Sequence, residues 1–126
     1  MDFEHQYTKQ QTSFRQDVSL WLDSNIPDSF LATSSPDMTT RNYWNKYNVF
    51  RTRLGSRGWL TPNQPPEQGG AGLAPDKALV LIEEIEKRSL LWILDLGTSA
   101  LAATIRDFGT EYQRVESLPY LSKGEI

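Results

Sequence analysis

Residues 58–75 read GWLTPNQPPEQGGAGLAP, and this stretch decides how the rest of the chain is organised. Four prolines and four glycines lie within these eighteen residues, so no regular helix can cross them. Proline fixes φ and lacks a backbone donor, whereas glycine tolerates positive φ. The stretch is therefore predicted to be a shaped connector between two helical regions, packed through its aromatic and aliphatic members.

Two amphipathic patterns precede the connector, separated by a polar loop at residues 27–40 in which Phe30 and Leu31 are candidate anchors. The first pattern runs from about Phe3 to Asn25, with apolar residues at Phe3, Tyr7, Phe14, Val18, Trp21 and Leu22. The second has apolar residues at Tyr43, Tyr47, Phe50 and Leu54, widened by Trp44. Thr39 or Thr40 is predicted to cap its start, and Gly55 with Gly58 its end.

Three further helices are predicted after the connector. The third begins at Pro75, reaches about Lys87 or Arg88, and has an inward stripe of Ala78, Leu79, Ile82 and Ile85. The fourth spans about Leu90 to Phe108 and is rich in small residues. Gly109 is expected to end it in the left-handed region, and Thr110 with Gln113 to form a capping box for the fifth. The fifth would use Tyr112, Val115 and Leu118 until Pro119 breaks or kinks it.

Composition limits the function classes. The 126 residues suit one domain, with a formal net charge of −3 and no basic run, which argues against nucleic acid or anionic lipid as a main partner. Cysteine is absent, so disulfides and thiolate chemistry are excluded. No apolar stretch approaches the length of a membrane span, and a cytoplasmic protein is expected. No strand pattern is visible, so the fold is predicted to be all-α, a bundle-like domain of about five helices.

Three features that resemble chemical sites are better explained structurally. Glu83 and Glu84 point about 100° apart on a helix, so they cannot converge on one substrate atom, and Glu84 is placed to pair with Arg88. His5, the only histidine, has no evident partners near the terminus. The glycine-rich run at residues 69–72 lacks the strand and the Gly-Lys-Ser/Thr ending of a phosphate loop. No catalytic, cofactor-binding or metal-binding residue is therefore assigned.

Four pieces of the sequence, taken together in order, resemble the N-terminal α-helical domain of the acyl-CoA dehydrogenase family. The opening helix is similar at residues 14–18 with Trp21 and Leu22, and the connector at residues 58–73. The paired glutamates Glu83 and Glu84 match the third helix. Residues 108–113, FGTEYQ, match the family's F/Y-G-T-E-E-Q, and the Leu-Pro and Gly-Glu pairs that follow it are also present.

The resemblance implies a role in a larger flavoprotein. In this family a β-domain and a C-terminal four-helix bundle follow the N-terminal domain, and they supply most FAD contacts and the catalytic glutamate. The glutamate abstracts an α-proton from an acyl thioester while the β-hydrogen passes as hydride to FAD, and an enoyl thioester results. Those parts are absent from residues 1–126, so we expect a truncated or split part of a larger flavoenzyme, or a relic domain with another use. Alone it is expected to be inactive and to bind no FAD detectably.

By the same resemblance, the fourth helix contributes to the wall of the acyl pocket. Counting back from Gly109, the matching positions are Trp92, Ile93, Leu96, Gly97 and Ala100, which would share one face of a continuous helix. An apolar face with small residues is also what plain helix packing produces, so both interpretations stay open here. Trp92 would narrow the pocket and favour a short or unusual acyl group, carried by coenzyme A or a carrier protein.

The connector departs from the family pattern at two positions. Gln64 stands where many members have tryptophan, and Gln68 where many have tyrosine, so two aromatic anchors are missing. The connector is therefore expected to pack differently, or against a different neighbour. A second, separate hypothesis for the chain is a stand-alone helical interaction module, or a split subunit that docks a partner or an acyl carrier. Either way, apolar surface left uncovered on the fourth helix and the connector is expected to cause self-association.

Overall fold

A computed structural model describes residues 6–30, 37–94 and 96–125, and for Trp92, Leu96 and Gly97 it describes the backbone alone. Phe3, His5 and Leu31 lie outside the described residues. Within them the chain is all-helical, as predicted, with five α-helices. These are α1 (Lys9–Asn25), α2 (Arg41–Ser56), α3 (Pro75–Lys87), α4 (Leu96–Phe108) and α5 (Leu118–Ser122). No helix in the described ranges is long and apolar enough to cross a membrane.

Capping residues define where the first two helices begin. Thr8 Oγ1 accepts from Gln11 N at 3.1 Å while Gln11 Oε1 accepts from Thr8 N at 2.9 Å, so a capping box starts α1 at Lys9 rather than near Phe3. Thr40 Oγ1 accepts from Tyr43 N at 3.2 Å and caps α2, as predicted. The box at Thr110 and Gln113 also forms, with both hydrogen bonds present.

Two of the predicted glycine roles were wrong. Gly55 lies inside α2, which ends at Ser56, and only Gly58, at φ 75°, is left-handed beyond that end. Gly109 is not among the glycines with positive φ. Its N–H bonds to the Ile105 carbonyl at 2.9 Å, and an added Cβ would lie 2.4 Å from that oxygen. Glycine is therefore required at position 109 because the backbone there passes close to the Ile105 carbonyl. The capping box at Thr110 begins immediately after it.

The main core joins α1, α2 and α3 with the start of the connector. Among its members are Val18 and Leu22 of α1, Phe50 and Leu54 of α2, and Leu81 and Ile85 of α3. The buried face of α3 differs from the prediction, because Leu79 is 51% exposed whereas Leu81 and Glu84 are buried. Glu84, which the sequence pattern assigned to no face, is buried between Arg15 of α1 and Arg88 at the end of α3.

A smaller second cluster joins α4 to α5 through Ala102, Leu118 and Leu121, with Ile105 packed against them. Between the two helices residues 113–117 form a π-helical turn. Pro119 follows in the first turn of α5, where its missing N–H is tolerated. The predicted fifth helix thus changes type before Pro119, since a widened turn relieves the clash of the proline ring with the preceding carbonyls.

Candidate functional site

The connector has a defined shape that starts at the end of α2. Trp59 N bonds to Leu54 O at 3.0 Å and Gly58 N to Gly55 O at 2.9 Å, the paired bonds of a Schellman motif. The chain then folds back on itself, because Gly72 N reaches Gln64 O at 2.8 Å and Leu73 N reaches Pro62 O at 2.9 Å. The prediction of a packed connector is therefore confirmed by its own backbone bonds.

Glutamine replaces aromatic anchors inside this connector. An added Cβ on Gly70 would lie 2.2 Å from the Gln64 carbonyl oxygen, so the outgoing and returning segments of the connector are in contact there. Gln64 is 6% exposed, and the side-chain oxygens of Gln64 and Gln68 are buried with no hydrogen-bond partner in the described part of the chain. Two polar side chains thus occupy positions that the resemblance assigns to tryptophan and tyrosine.

The helix predicted to line the acyl pocket has one covered and one open face. Ala102 and Ile105 pack toward α5, whereas Ala100, Leu101, Thr104 and Phe108 are exposed, Phe108 to 86%. The Thr104 hydroxyl donates to Ala100 O at 2.8 Å, so its hydrogen is used within the helix. The open face therefore combines the small side chains of Ala100 and Thr104 with the large apolar side chains of Leu101 and Phe108.

The five predicted wall residues do not lie on one helix. Residues 91–93 form a 3-10 turn, Leu94 is not helical, and α4 begins only at Leu96, so the assumed continuous helix from Leu90 was wrong. The 3-10 turn follows Leu90, which is buried in the main core. Within the turn Ile93 N–H donates to Leu90 O and Leu94 N–H donates to Leu91 O, each three residues earlier. Ile93 is fully buried in the main core, and Ala100 is on the open face. The side chains of Trp92 and Leu96, and the surroundings of Gly97, lie outside the description.

An ion-pair network holds α1 against α3. The predicted pair of Glu84 with Arg88 is present at 2.8 Å, and Arg88 also reaches Asp23 at 2.9 Å. Arg15 bridges both glutamates, with Nη2 at 2.8 Å from Glu83 Oε2 and Nη1 at 2.9 Å from Glu84 Oε1. Sequence reasoning missed Arg15, whose spacing from Glu84 of 69 residues carries no local signal.

This network is structural rather than catalytic. Burial alone would raise the pKa of Glu84, but hydrogen bonds from Arg15 and Arg88 outweigh it and hold that pKa below its usual value. Burial would likewise lower the pKa of Arg88, but its bonds to Glu84 and Asp23 raise it. A carboxylate that is 2% exposed and locked between two guanidinium groups has no proton to exchange with a substrate near neutral pH.

Comparison with known proteins agrees with this architecture. The family described as Acyl-CoA dehydrogenase, N-terminal domain, matches residues 8–125. A solved structure, the ChsE4-ChsE5 complex from Mycobacterium tuberculosis, matches 98% of this chain with 25% sequence identity and a TM-score of 0.75. The match covers 30% of the chain in that complex.

The five described helices and the shaped connector define an all-α domain, and the family model matches it over residues 8–125. The chain belongs to the acyl-CoA dehydrogenase family, as an N-terminal domain. It spans 30% of the length of the solved chain that it resembles.

Proposed function

We propose that this chain is the N-terminal α-domain of an FAD-dependent acyl-CoA dehydrogenase-like flavoprotein that oxidises the α,β C–C bond of an acyl thioester. The observation that carries the proposal is the family match over residues 8–125 together with the uncovered face of α4, which presents Ala100, Leu101, Thr104 and Phe108. The parent would be an oxidoreductase that acts on CH–CH groups in fatty acid metabolism, with a cytoplasmic location expected.

The role proposed for α4 is to form part of the acyl-pocket wall. Ala100 and Thr104 present little bulk, and the Thr104 hydroxyl is already bonded within the helix. An acyl chain placed against such a face gains roughly 0.8 kcal/mol for each methylene removed from water. Trp92, Leu96 and Gly97 would complete the wall, whereas Ile93, fully buried in the core, would support it from behind.

FAD would be held mainly by polypeptide outside these residues. When bound, the flavin supplies the hydride acceptor. Among the described residues the cleft beside Gln64 has a volume of about 210 Å³ and a groove beside Trp21 one of about 440 Å³, and the resemblance assigns most flavin contacts to the parts that follow this domain. The share proposed for this domain is therefore to shape the acyl pocket and to exclude water from it.

A second candidate is a split subunit or interaction module that docks a partner or an acyl carrier. The observation that favours it is the exposure of large apolar residues along α4 and the turn after it, namely Leu101, Phe108, Tyr112 and Val115. Surface of this kind usually marks an interface. The solved structure that this chain resembles is itself a complex of two proteins.

Substituting Ala100→Trp in the assembled enzyme tests the pocket wall. An indole on the open face of α4 would occupy space meant for the acyl chain, so kcat/KM for long acyl thioesters should fall about a hundredfold or more relative to short ones. Oxidation of a chain-length series with an artificial electron acceptor measures this ratio. Ser13→Trp, at an exposed site on α1, is the matched control. An unchanged preference in Ala100→Trp would contradict the wall assignment.

A further inference from the structure

Helix α2 concentrates positive charge that has no partner within the described part of the domain. The sequence between Asp37 and Glu67 contains five basic residues and no acidic one, although the whole chain has a formal net charge of −3. Of the five, Arg51 is buried and its Nη2 donates to Thr98 Oγ1 at 2.7 Å. The other four are exposed, and their side chains make no hydrogen bond or ion pair with the described residues: Arg41, Lys46, Arg53 and Arg57.

Three of these cations lie in one row along α2. The basic row consists of Lys46, Val49, Arg53 and Arg57, which follow each other at intervals of three or four residues. Side chains with this spacing are neighbours on one face of a helix. Arg57, the C-cap residue, keeps right-handed helical backbone angles and so continues the row. Arg53 and Arg57 are like charges four residues apart, which is unfavourable unless a negative group approaches them.

The basic row ends at a groove beside α1. The groove has a volume of about 440 Å³ and is lined by Asp17, Leu20, Trp21, Ser24, Asn25 and Arg57. The central carbon of the Arg57 guanidinium lies 4.7 Å from the ring centroid of Trp59 and 6.0 Å from that of Trp21. Two indoles thus hold this guanidinium, whose N–H edge stays available for a carboxylate. Leu20, which is 69% exposed, adds an apolar contact on the α1 wall.

We propose that the basic row and the groove together dock an acidic amphipathic helix of a partner protein. Every arginine apart from the three unpaired ones donates a side-chain hydrogen bond within the domain, so the free cations of α2 are those left to meet an outside charge. Lys46 and Arg57 are about 16 Å apart along the helix axis, the length of about three helical turns. Carboxylates on one face of such a helix pair with the row, and an apolar residue beside them contacts Val49 and Leu20.

A protein helix fits this surface better than an anionic membrane does. The row is one side chain wide, and Asp17 lines the α1 wall of the groove without an ion pair to Arg57 in the described ranges. A flat bilayer pressed against the row would also meet that carboxylate and be repelled by it. A helix can place its acidic face on α2 and its apolar face toward Leu20, which leaves Asp17 in water.

A synthetic helical peptide with a face of glutamates beside a face of leucines tests the proposal when titrated into the 126-residue chain. We expect saturable binding that weakens as salt is raised. The indole N–H resonance of Trp21 should shift, whereas that of Trp44, outside the row, should not. Arg53→Glu should raise Kd about tenfold or more, because it presents a like charge to the peptide. Arg41→Glu makes the same charge change outside the row and should alter Kd by less than about threefold.

Charge exchange and lipid vesicles provide two further checks. A peptide with lysines in place of the glutamates should bind Arg53→Glu more tightly than it binds the unmodified chain. Vesicles of phosphatidylcholine and phosphatidylserine in equal parts should not retain the chain on sedimentation. Absence of saturable peptide binding, equal Kd for the two arginine variants, no gain with the lysine peptide, or binding to vesicles at least as tight as to the glutamate peptide would overturn the proposal. The α4 pocket wall would be unaffected, since neither the row nor the groove includes a residue of α4.

Discussion

Gly55→Ala is expected to destabilise the domain by about 3 kcal/mol, near the upper end of ordinary overpacking costs. In most helices this substitution stabilises, by up to about 1 kcal/mol. Here an added Cβ would lie 1.9 Å from the Lys123 carbonyl oxygen and 2.3 Å from its carbonyl carbon. These are backbone atoms of the turn after α5, so the turn must move away from α2.

Thermal unfolding followed by circular dichroism measures the effect, and a fall in Tm of about 10 °C is expected. Thr52→Ala, at an exposed position of the same helix, is the control and should change stability by less than about 0.5 kcal/mol. If Gly55→Ala raises Tm as it would in an open helix, the contact between α2 and the C-terminal turn is incorrect.

Glu84→Ala is expected to cost about 3–5 kcal/mol, because it leaves two guanidinium groups without their shared buried carboxylate. Glu84 is 2% exposed and contacts Arg15 at 2.9 Å and Arg88 at 2.8 Å. Glu83→Ala is the matched control, since Glu83 contacts the same Arg15 but is 31% exposed. Its loss should be about 1 kcal/mol. Urea unfolding of both variants measures the difference, and equal losses would contradict the network.

The pH dependence of stability gives this prediction a second readout. Because the folded pKa of Glu84 is lowered from its usual 4.5, the unfolded chain binds more protons than the folded chain below that pH. The contribution of ionised Glu84 to the free energy of unfolding is therefore complete above the pKa of Glu84 in the unfolded chain, and it is lost as pH falls through the pKa of Glu84 in the folded chain. Glu84→Gln should unfold at a lower urea concentration near neutrality and show a shallower loss toward acid.

Much of the fold was predictable because its signals are local. The connector, the Thr40 cap and the capping box at Thr110 each depend on residues a few positions apart, and each is present. Pro75 opens α3, and Glu84 pairs with Arg88 as their spacing indicates. Turn chemistry and caps are decided by backbone groups within one turn, so the sequence alone contains the cause.

The misplaced features depend on tertiary contacts. Glu84 faces inward because Arg15, 69 residues earlier, lies opposite it. The break between Ile93 and α4 follows from the burial of Leu90 and Ile93 in the main core, which a helical period could not distinguish from burial along one long helix. The missed start of α1 is different, since the Thr8 and Gln11 box was visible in the sequence.

The candidate site was predictable only in part. The resemblance indicated α4, and the structure shows which face of that helix is open. Ile93 is buried in the main core whereas Ala100 is exposed, and sequence spacing could not predict that these two residues differ in burial. The cleft beside Gln64 was not foreseen. Its only sequence signal was the departure from an aromatic residue, because Ser99 and Arg106, which line its other side, lie on α4, far along the chain from Gln64.

Reconstitution tests the proposed function most directly. The chain should be purified alone and together with a polypeptide that supplies the β-domain and the C-terminal helical bundle, and the visible flavin spectrum recorded before and after addition of acyl-CoA. We expect no flavin on the chain alone, and bleaching of bound FAD by acyl-CoA only in the assembled protein. Flavin on the isolated chain, or acyl-CoA oxidation that proceeds equally well without it, would contradict the proposal.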